Sequence, residues 1–434
     1  MTAHKHLKER VRARMARTGE SYTTARRHVL NAIPPADYQL LGGVHPDTHA
    51  IAGVLANRGL VAPHTGRPLS EAMVLGVGGG LGAGYILWEF KAHDYRTLVF
   101  GFRNNWQYPD RWALKTCARL GVPAAVHETG STRRAAEELA AAVGQGVPAI
   151  VWADQQLLGY RHLPAWLEGH GGPPVTVYGL DQQAGTALVD DRNRAPLTVS
   201  LDDLAAARAR VVSYKQRQVV LDAPAAELEL DGLRAAVRDG LAEQVEHLSR
   251  RSDSFSLPAF RKWERLLTAG NAKAWPRVFA ERVSLFDACL SVYENLEPSG
   301  WNGGHLRGLY AAFLDEAAAL LEAPALAPAA AAYREAAARW HEVAEVALPG
   351  DVEPFAEARR LTHRLQAQVE RGDAGRDQAA ATAAGLWALR DRWRPEFPGD
   401  DDRVTALLAK LAAAVGAACQ AEEAALAALA DAVT

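Results

Sequence analysis

Near residue 222 the chain changes texture. Before it, short β-branched or apolar runs recur at 97–102, 149–152, 175–178 and 186–189, with an interrupted one across 211–220. Turn-forming stretches at 144–148 and 181–185 separate them. After it glycine thins out, and alanine rises from 38 in the first 250 residues to 47 in the last 184. Helix formers then dominate, and helices are predicted over 306–321, 329–346, 355–370, 378–392 and 404–433. No repeat of fixed period runs through this half, so a solenoid is not supported. The expectation is an α+β domain over 36–222 followed by an all-α domain over 223–434, with 371–375 as a loop inside the second.

Charge separates a third segment. The whole chain carries 51 acidic and 48 basic residues, a balance that gives no general reason to expect a nucleic-acid partner. Residues 1–34, however, hold eight Lys/Arg against Glu9 and Glu20. Leu7, Val11 and Met15 recur four apart, a narrow apolar stripe on one helix face, and Pro34-Pro35 ends the segment. Residues 1–35 are therefore expected to form a basic helical arm, solvated and docked by its stripe. Nucleic acid binding through the arm is the alternative. An apolar content of 49% excludes disorder throughout. Cys117, Cys289 and Cys419 are odd in number, far apart and set in apolar helical patterns, so buried reduced thiols are expected. No run approaches the roughly 18 apolar residues of a spanning helix, and the N-terminus lacks an apolar signal region. A cytoplasmic protein with no membrane association is the expectation.

Two stretches invite specific chemistry. His45-Pro46-Asp47-Thr48 opens an apolar-periodic helix through Ile51, Val54 and Leu55, with Gly59 placed as its C′ residue. His45 and His49 share a face, but a metal needs a third ligand that the sequence does not identify, so no metal is assigned. Gly78, Gly80 and Ala83 satisfy the dinucleotide pattern G-x-G-x-x-A. That pattern needs a helix after it, and Tyr85-Ile86-Leu87-Trp88-Glu89-Phe90 is too aromatic to open one. A turn passing close to a pocket is the expectation. Gly80 and Gly82 would there offer backbone N–H groups to an acyl or carboxylate oxygen, and no cofactor is assigned.

Three stretches together resemble one family: Gly43-Val44-His45-Pro46-Asp47-Thr48; Leu69-Ser70-Glu71-Ala72-Met73 running into the glycines; and Gly146 to Asp154 followed by Leu158-Gly159-Tyr160 and Val175-Thr176-Val177-Tyr178-Gly179-Leu180-Asp181. Their order and spacing are similar to the butirosin biosynthesis protein H family. Glu294-Asn295-Leu296-Glu297 and Gly303-Gly304-His305-Leu306-Arg307 extend the likeness to about Trp340. The resemblance implies a papain-like cysteine-protease-type domain with a helical companion. It also implies a cysteine acyltransferase that moves an aminoacyl group from an acyl carrier protein to a small-molecule amine acceptor. Such chemistry needs a thiolate at a helix start and a His oriented by an acid.

The chain departs from that pattern at its centre. Pro46 stands at the family's Cys position and Pro173 at its His position, while the orienting acid remains as Asp191. Proline suits the first turn of a helix but carries no nucleophile. The expected function is a catalytically degenerate relative that binds a ligand or partner. The alternatives are an acyltransferase working without a covalent Cys intermediate and a nucleic-acid-associated protein using the arm. The expected pocket lies between the helix start, the glycine turn and the strand near Val175. Its candidate residues are His45, Asp47, Gly80, Gly82, Asp154, His170 and Asp191. His170 doubles as a solvated loop residue, and Asp154 as a turn cap.

Overall fold

The computed structural model describes residues 38–222, 228–300 and 302–433, with Arg12, Met15 and Ser21. Leu7 and Val11, and with them the expected stripe of the basic arm, lie outside the described residues.

Pro46 opens α1 (Pro46–Asn57) behind an extended His45, and Gly59 at φ +80° sits at C′. Ile51, Val54 and Leu55 bury this helix against α2 (Glu71–Val77) on one side and a strand of the main sheet on the other. Ser70 caps α2, its Oγ accepting from Met73 N at 2.9 Å. The aromatic stretch after the glycines is not helical. It is β1 (Tyr85–Phe90), paired in a two-stranded antiparallel hairpin with β2 (Tyr95–Phe100). Alternating aromatic and β-branched residues suit a pleated surface better than a helix start.

The rest of the α+β half runs α3 (Pro109–Arg119), β3 (Ala124–His127), α4 (Thr132–Gly144), β4 (Ala149–Trp152), α5 (Gln155–Leu158), β5 (Pro174–Asp181), β6 (Thr186–Asp190), β7 (Leu197–Ser200), α6 (Leu201–Arg210) and β8 (Gln218–Leu221). The six-stranded sheet has the order β3-β8-β4-β5-β6-β7, with every neighbour antiparallel. The interrupted run at 211–220 supplies only β8, since 212–214 close into a 3-10 turn.

The period-2 alternation of a strand divides the core. Val151 on β4, Val175 and Val177 on β5 and Val189 on β6 face one side, packed with Leu139 of α4 and Leu204 of α6. Ile150 and Trp152 on β4 and Val219 on β8 face the other and join a core that continues into the helical half. That half contains α7 (Leu230–Leu248), α8 (Pro258–Leu266), α9 (Trp275–Val278), α10 (Leu285–Leu296), α11 (Arg307–Leu321), α12 (Ala327–Ala347), α13 (Phe355–Val369), α14 (Arg376–Trp393) and α15 (Asp401–Val433).

The hairpin belongs with the helices. Leu98 N donates to Ser291 Oγ (2.9 Å), and Asn295 Nδ2 donates to Leu98 O (3.1 Å), both partners on α10. Arg307 is fully buried, ion-paired with Glu422 of α15 and stacked over Phe102 at 5.0 Å. By length and composition α15 alone among the described helices matches a membrane span, a match that counting unbroken apolar runs passes over. Its Leu407, Leu411, Val415 and Leu429 are buried, and the helix packs on α12 and α8.

Candidate functional site

The start of α1 is held by a carboxylate from the next helix. Glu71 accepts from Val44 N (2.7 Å), His45 N (3.1 Å) and Thr48 Oγ1 (2.8 Å), which satisfies donors ahead of the first turn. Asp47 does not cap the helix. Its Oδ2 takes Arg103 Nε at 3.0 Å, and the Arg103 guanidinium lies 4.4 Å over Trp112. A rigid buried cation is the stronger partner for a carboxylate than a backbone N–H. Burial pushes the His45 imidazole down to about 3, with Asp47 opposing and Arg103 and Arg192 assisting, so this ring is neutral. His49 faces elsewhere, its Nε2 2.9 Å from Asp190 Oδ1, and the Tyr38 hydroxyl donates to the other oxygen at 2.9 Å. Burial lowers the His49 value, but the bond and charge of Asp190 outweigh it and leave it raised.

Asp191 follows β6. The Tyr160 hydroxyl (2.9 Å) and Arg161 Nη2 (2.6 Å) hold one oxygen, and Arg192 Nη2 (3.2 Å) holds the other. Burial raises its value, yet Arg161 and Arg192 win and keep the carboxyl below its usual range. Arg192 Nη1 also donates to Val44 O at 3.1 Å. The β5–β6 ladder ends where Thr176 lies opposite Asp190. Thus the start of α1 and Asp191 are drawn into one seam through Arg192, and no hydrogen bond ties Pro173 to it among the described residues. No hydrogen bond joins Asp191 to a histidine among the described residues.

The glycine turn is spent on packing. Gly80 N donates to Leu75 O (2.9 Å), Gly82 N to Phe102 O (2.8 Å) and Leu81 N to Gln244 of α7. A Cβ at Gly80 would stand 2.1 Å from Gln244 Oε1, and one at Gly82 would stand 2.3 Å from Arg103 O. These glycines let the turn approach α7 and the strand beyond Phe100, and their N–H groups are not open to a ligand oxygen.

Asp154 takes the cap role. Its Oδ1 accepts from Gln156 N (3.1 Å) and Leu157 N (3.2 Å) at the start of α5. Its Oδ2 accepts from Gly169 N (2.8 Å) and Gly171 N (3.3 Å), clasping the loop that carries His170. His170 stays exposed, with its ring edge-on to Phe90 at 4.5 Å.

A cavity of about 340 Å³ opens beside that loop, within the range that small-molecule sites occupy. It lies between the two halves rather than at the expected place. The outward face of the hairpin (Trp88, Phe90, Tyr95) forms one wall, and Trp387 and Arg390 of α14 with Glu294 of α10 form another. Of the candidate pocket residues only His170 lines it. Asp47 and Asp191 are held by the seam's own charge pairs, His45 sits neutral beside them with its Nδ1 unpartnered, and the glycines are spent on packing. Arg161 alone touches both places, lining the cavity and holding Asp191. Within the cavity Glu294 is paired with Arg390 at 2.6 Å. Three side-chain atoms of its lining residues, Ser299 Oγ, Gln156 Oε1 and Arg390 Nε, are buried without a partner.

Sequence reasoning passed over the residues that build this cavity. The aromatic run at 85–90 and the likeness at Glu294-Asn295 are its two signals, but nothing local ties either to Trp387, far along the chain from both. Among the described residues no three His, Cys, Asp or Glu side chains gather as a metal site would require. All three thiols are buried, and burial pushes Cys117 and Cys289 up to about 12 and Cys419 higher still.

No curated protein matches the chain. Residues 45–192 match the family described as butirosin biosynthesis protein H, N-terminal, and residues 202–371 match the domain of unknown function DUF4872. The first match places this half among acyltransferase-like proteins of natural-product biosynthesis. With both matches in that order, the chain belongs to the butirosin biosynthesis protein H family in its two-domain arrangement.

Proposed function

We propose that this chain is a member of the family without thiol chemistry: it holds an acyl-type ligand between its two halves and forms no thioester. The observation that carries the reading is Pro46 at N1 of α1, where a papain-like arrangement has its nucleophile at the helix start. A thiolate gains there from unpaired N–H groups and the helix dipole; a proline has nothing to ionise. The seam supports the same reading. In a papain-like fold the acid orients the catalytic His, whereas here Asp191 carries two arginines and a tyrosine hydroxyl. No buried thiol replaces the missing group, since each is held protonated at neutral pH. The cavity offers the volume for a ligand, and a carrier protein is the proposed donor of an acyl group.

The test is intact-mass measurement after incubating the full chain with an aminoacyl-loaded carrier protein. No adduct is expected. An adduct mapped to Cys117, Cys289 or Cys419 overturns the reading. A double change, Pro46→Cys with Pro173→His, is expected to react with an alkylating probe faster than the native chain. No gain over the native chain would count against the placement of the lost dyad.

A further inference from the structure

We propose that the interdomain cavity takes an uncharged acyl group, its body aromatic or branched and its polar end an amide or ester rather than a free acid or amine. The proposal rests on the reading of this cavity as the ligand site and adds the chemical class of the ligand.

The walls set the body of the ligand. Trp88, Phe90, Tyr95 and Trp387 line the cavity with aromatic side chains, and Leu365 and Val369 of α13 add aliphatic surface. Apolar walls of this kind favour a ligand with little polar surface to desolvate.

The charges set what the ligand lacks. The ionisable side chains on the lining are Tyr95, Arg161, His170, Glu294 and Arg390. Arg161 gives both Nε and Nη2 to Asp191. Arg390 gives Nη2 to Glu294 and Nη1 to Asp287, and Asp287 also holds Arg394. Burial pushes the Tyr95 hydroxyl up, so it stays protonated at neutral pH. His170 is exposed to water. Among the lining residues, then, no buried cation or anion stands unmatched. A ligand that brought its own charge would lose water against these walls and find each counter-charge already taken.

The unpartnered atoms complete the head group. Gln156 Oε1 accepts and has no donor, Arg390 Nε donates and has no acceptor, and Ser299 Oγ can do either. An amide supplies an acceptor oxygen and a donor N–H, and an ester supplies the acceptor. Neither disturbs the two groups of closed ion pairs.

Isothermal titration of the full chain with three matched probes tests this: 3-phenylpropionamide, 3-phenylpropionate and 3-phenylpropylamine, at about pH 8, where histidine in water is neutral. The amide is expected to bind, and the acid and the amine each to bind about tenfold or more weaker, because each must bury a charge without a partner. Thr97→Lys places an unmatched cation on the lining and should reverse the order of acid and amide. Should that variant fail to fold, Trp88→Lys serves in its place, at a side chain 48% exposed, and should raise the acid-to-amide ratio. Acid or amine binding to the native chain as tightly as the amide overturns the uncharged class and leaves the cavity reading standing. An acid-to-amide ratio that does not rise in a folded lysine variant places the binding outside the cavity and overturns the proposal. Failure of every probe to bind overturns both the proposal and the cavity reading.

Discussion

The seam at the start of α1 and the cavity a few residues away are built on opposite principles. In the seam every charged group is answered from within: Asp47 by Arg103, Asp190 by His49, Asp191 by Arg161 and Arg192. In the cavity the walls are chiefly aromatic and aliphatic, with one ion pair, Glu294 with Arg390, at the edge. Under the proposal that Pro46 leaves this site without a nucleophile, nothing in the seam needs to be kept free for reaction, and its ion pairs serve as a charged fastening. Space for a ligand survives where apolar side chains from two halves meet without filling the gap.

That contrast is open to direct attack, beginning with the seam. Asp191→Ala should remove the carboxylate shared by two buried guanidinium groups and cost about 3–5 kcal/mol, as breaking buried pairs does. Denaturant unfolding measures it, and a loss below about 1 kcal/mol would mean the fastening is dispensable. Acid should act on the seam and on the helical half through histidines buried in neutral form. His45 and His305 are pushed down to about 3 and His247 to about 4, in each case chiefly by burial. A lowered histidine contributes stability above its unfolded value near 6.5, which is lost as pH falls toward the folded value. His49 runs the other way, its contribution being full below 6.5 and lost as pH rises past its raised value. The three deeply buried rings outweigh His49, with His162, lowered by partial burial, adding less, and the net loss predicted between pH 7 and pH 5.5 is on the order of 3 kcal/mol. Urea midpoints at the two pH values give the answer; equal midpoints would show that these rings are hydrated. Trp88→Ala, on the cavity wall, should cost about 1 kcal/mol or less in the same unfolding measurement, since the ring is 48% exposed. A loss as large as that of Asp191→Ala would reverse the roles assigned to the two regions.

What could be read from sequence follows the range of the forces involved. Pro46 at N1 with Gly59 at C′, the strand at 149–152 and the helices of the second half rest on neighbours within a few residues, and their positions are legible. The strand at 85–90 is legible only as an aromatic oddity, because its partner is set by pairing with Tyr95–Phe100 and by Ser291 and Asn295 of α10. The roles of Asp47 and Asp191 depend on Arg103 and Arg161, which no local pattern assigns. Asp154 illustrates the boundary. Its cap on Gln156 and Leu157 is a sequence-local motif, whereas its hold on Gly169 and Gly171 comes from a loop returning in space.

The position of β8 has a consequence for how this protein is made. Strand β3 pairs only with β8, and β8 also supports one side of β4. During synthesis at about 5–20 residues per second, β3 would leave the ribosome roughly 5–20 s before the strand that completes it. For that interval one flank of the sheet is an open edge with the backbone groups of β3 and one side of β4 unpaired, a template for pairing with another nascent chain. The stop of the first family match at residue 192 therefore does not mark where this half can be cut free. A fragment ending there would lack β7 and β8, and with them the partner of β3, so it should emerge as aggregate rather than as an independent domain.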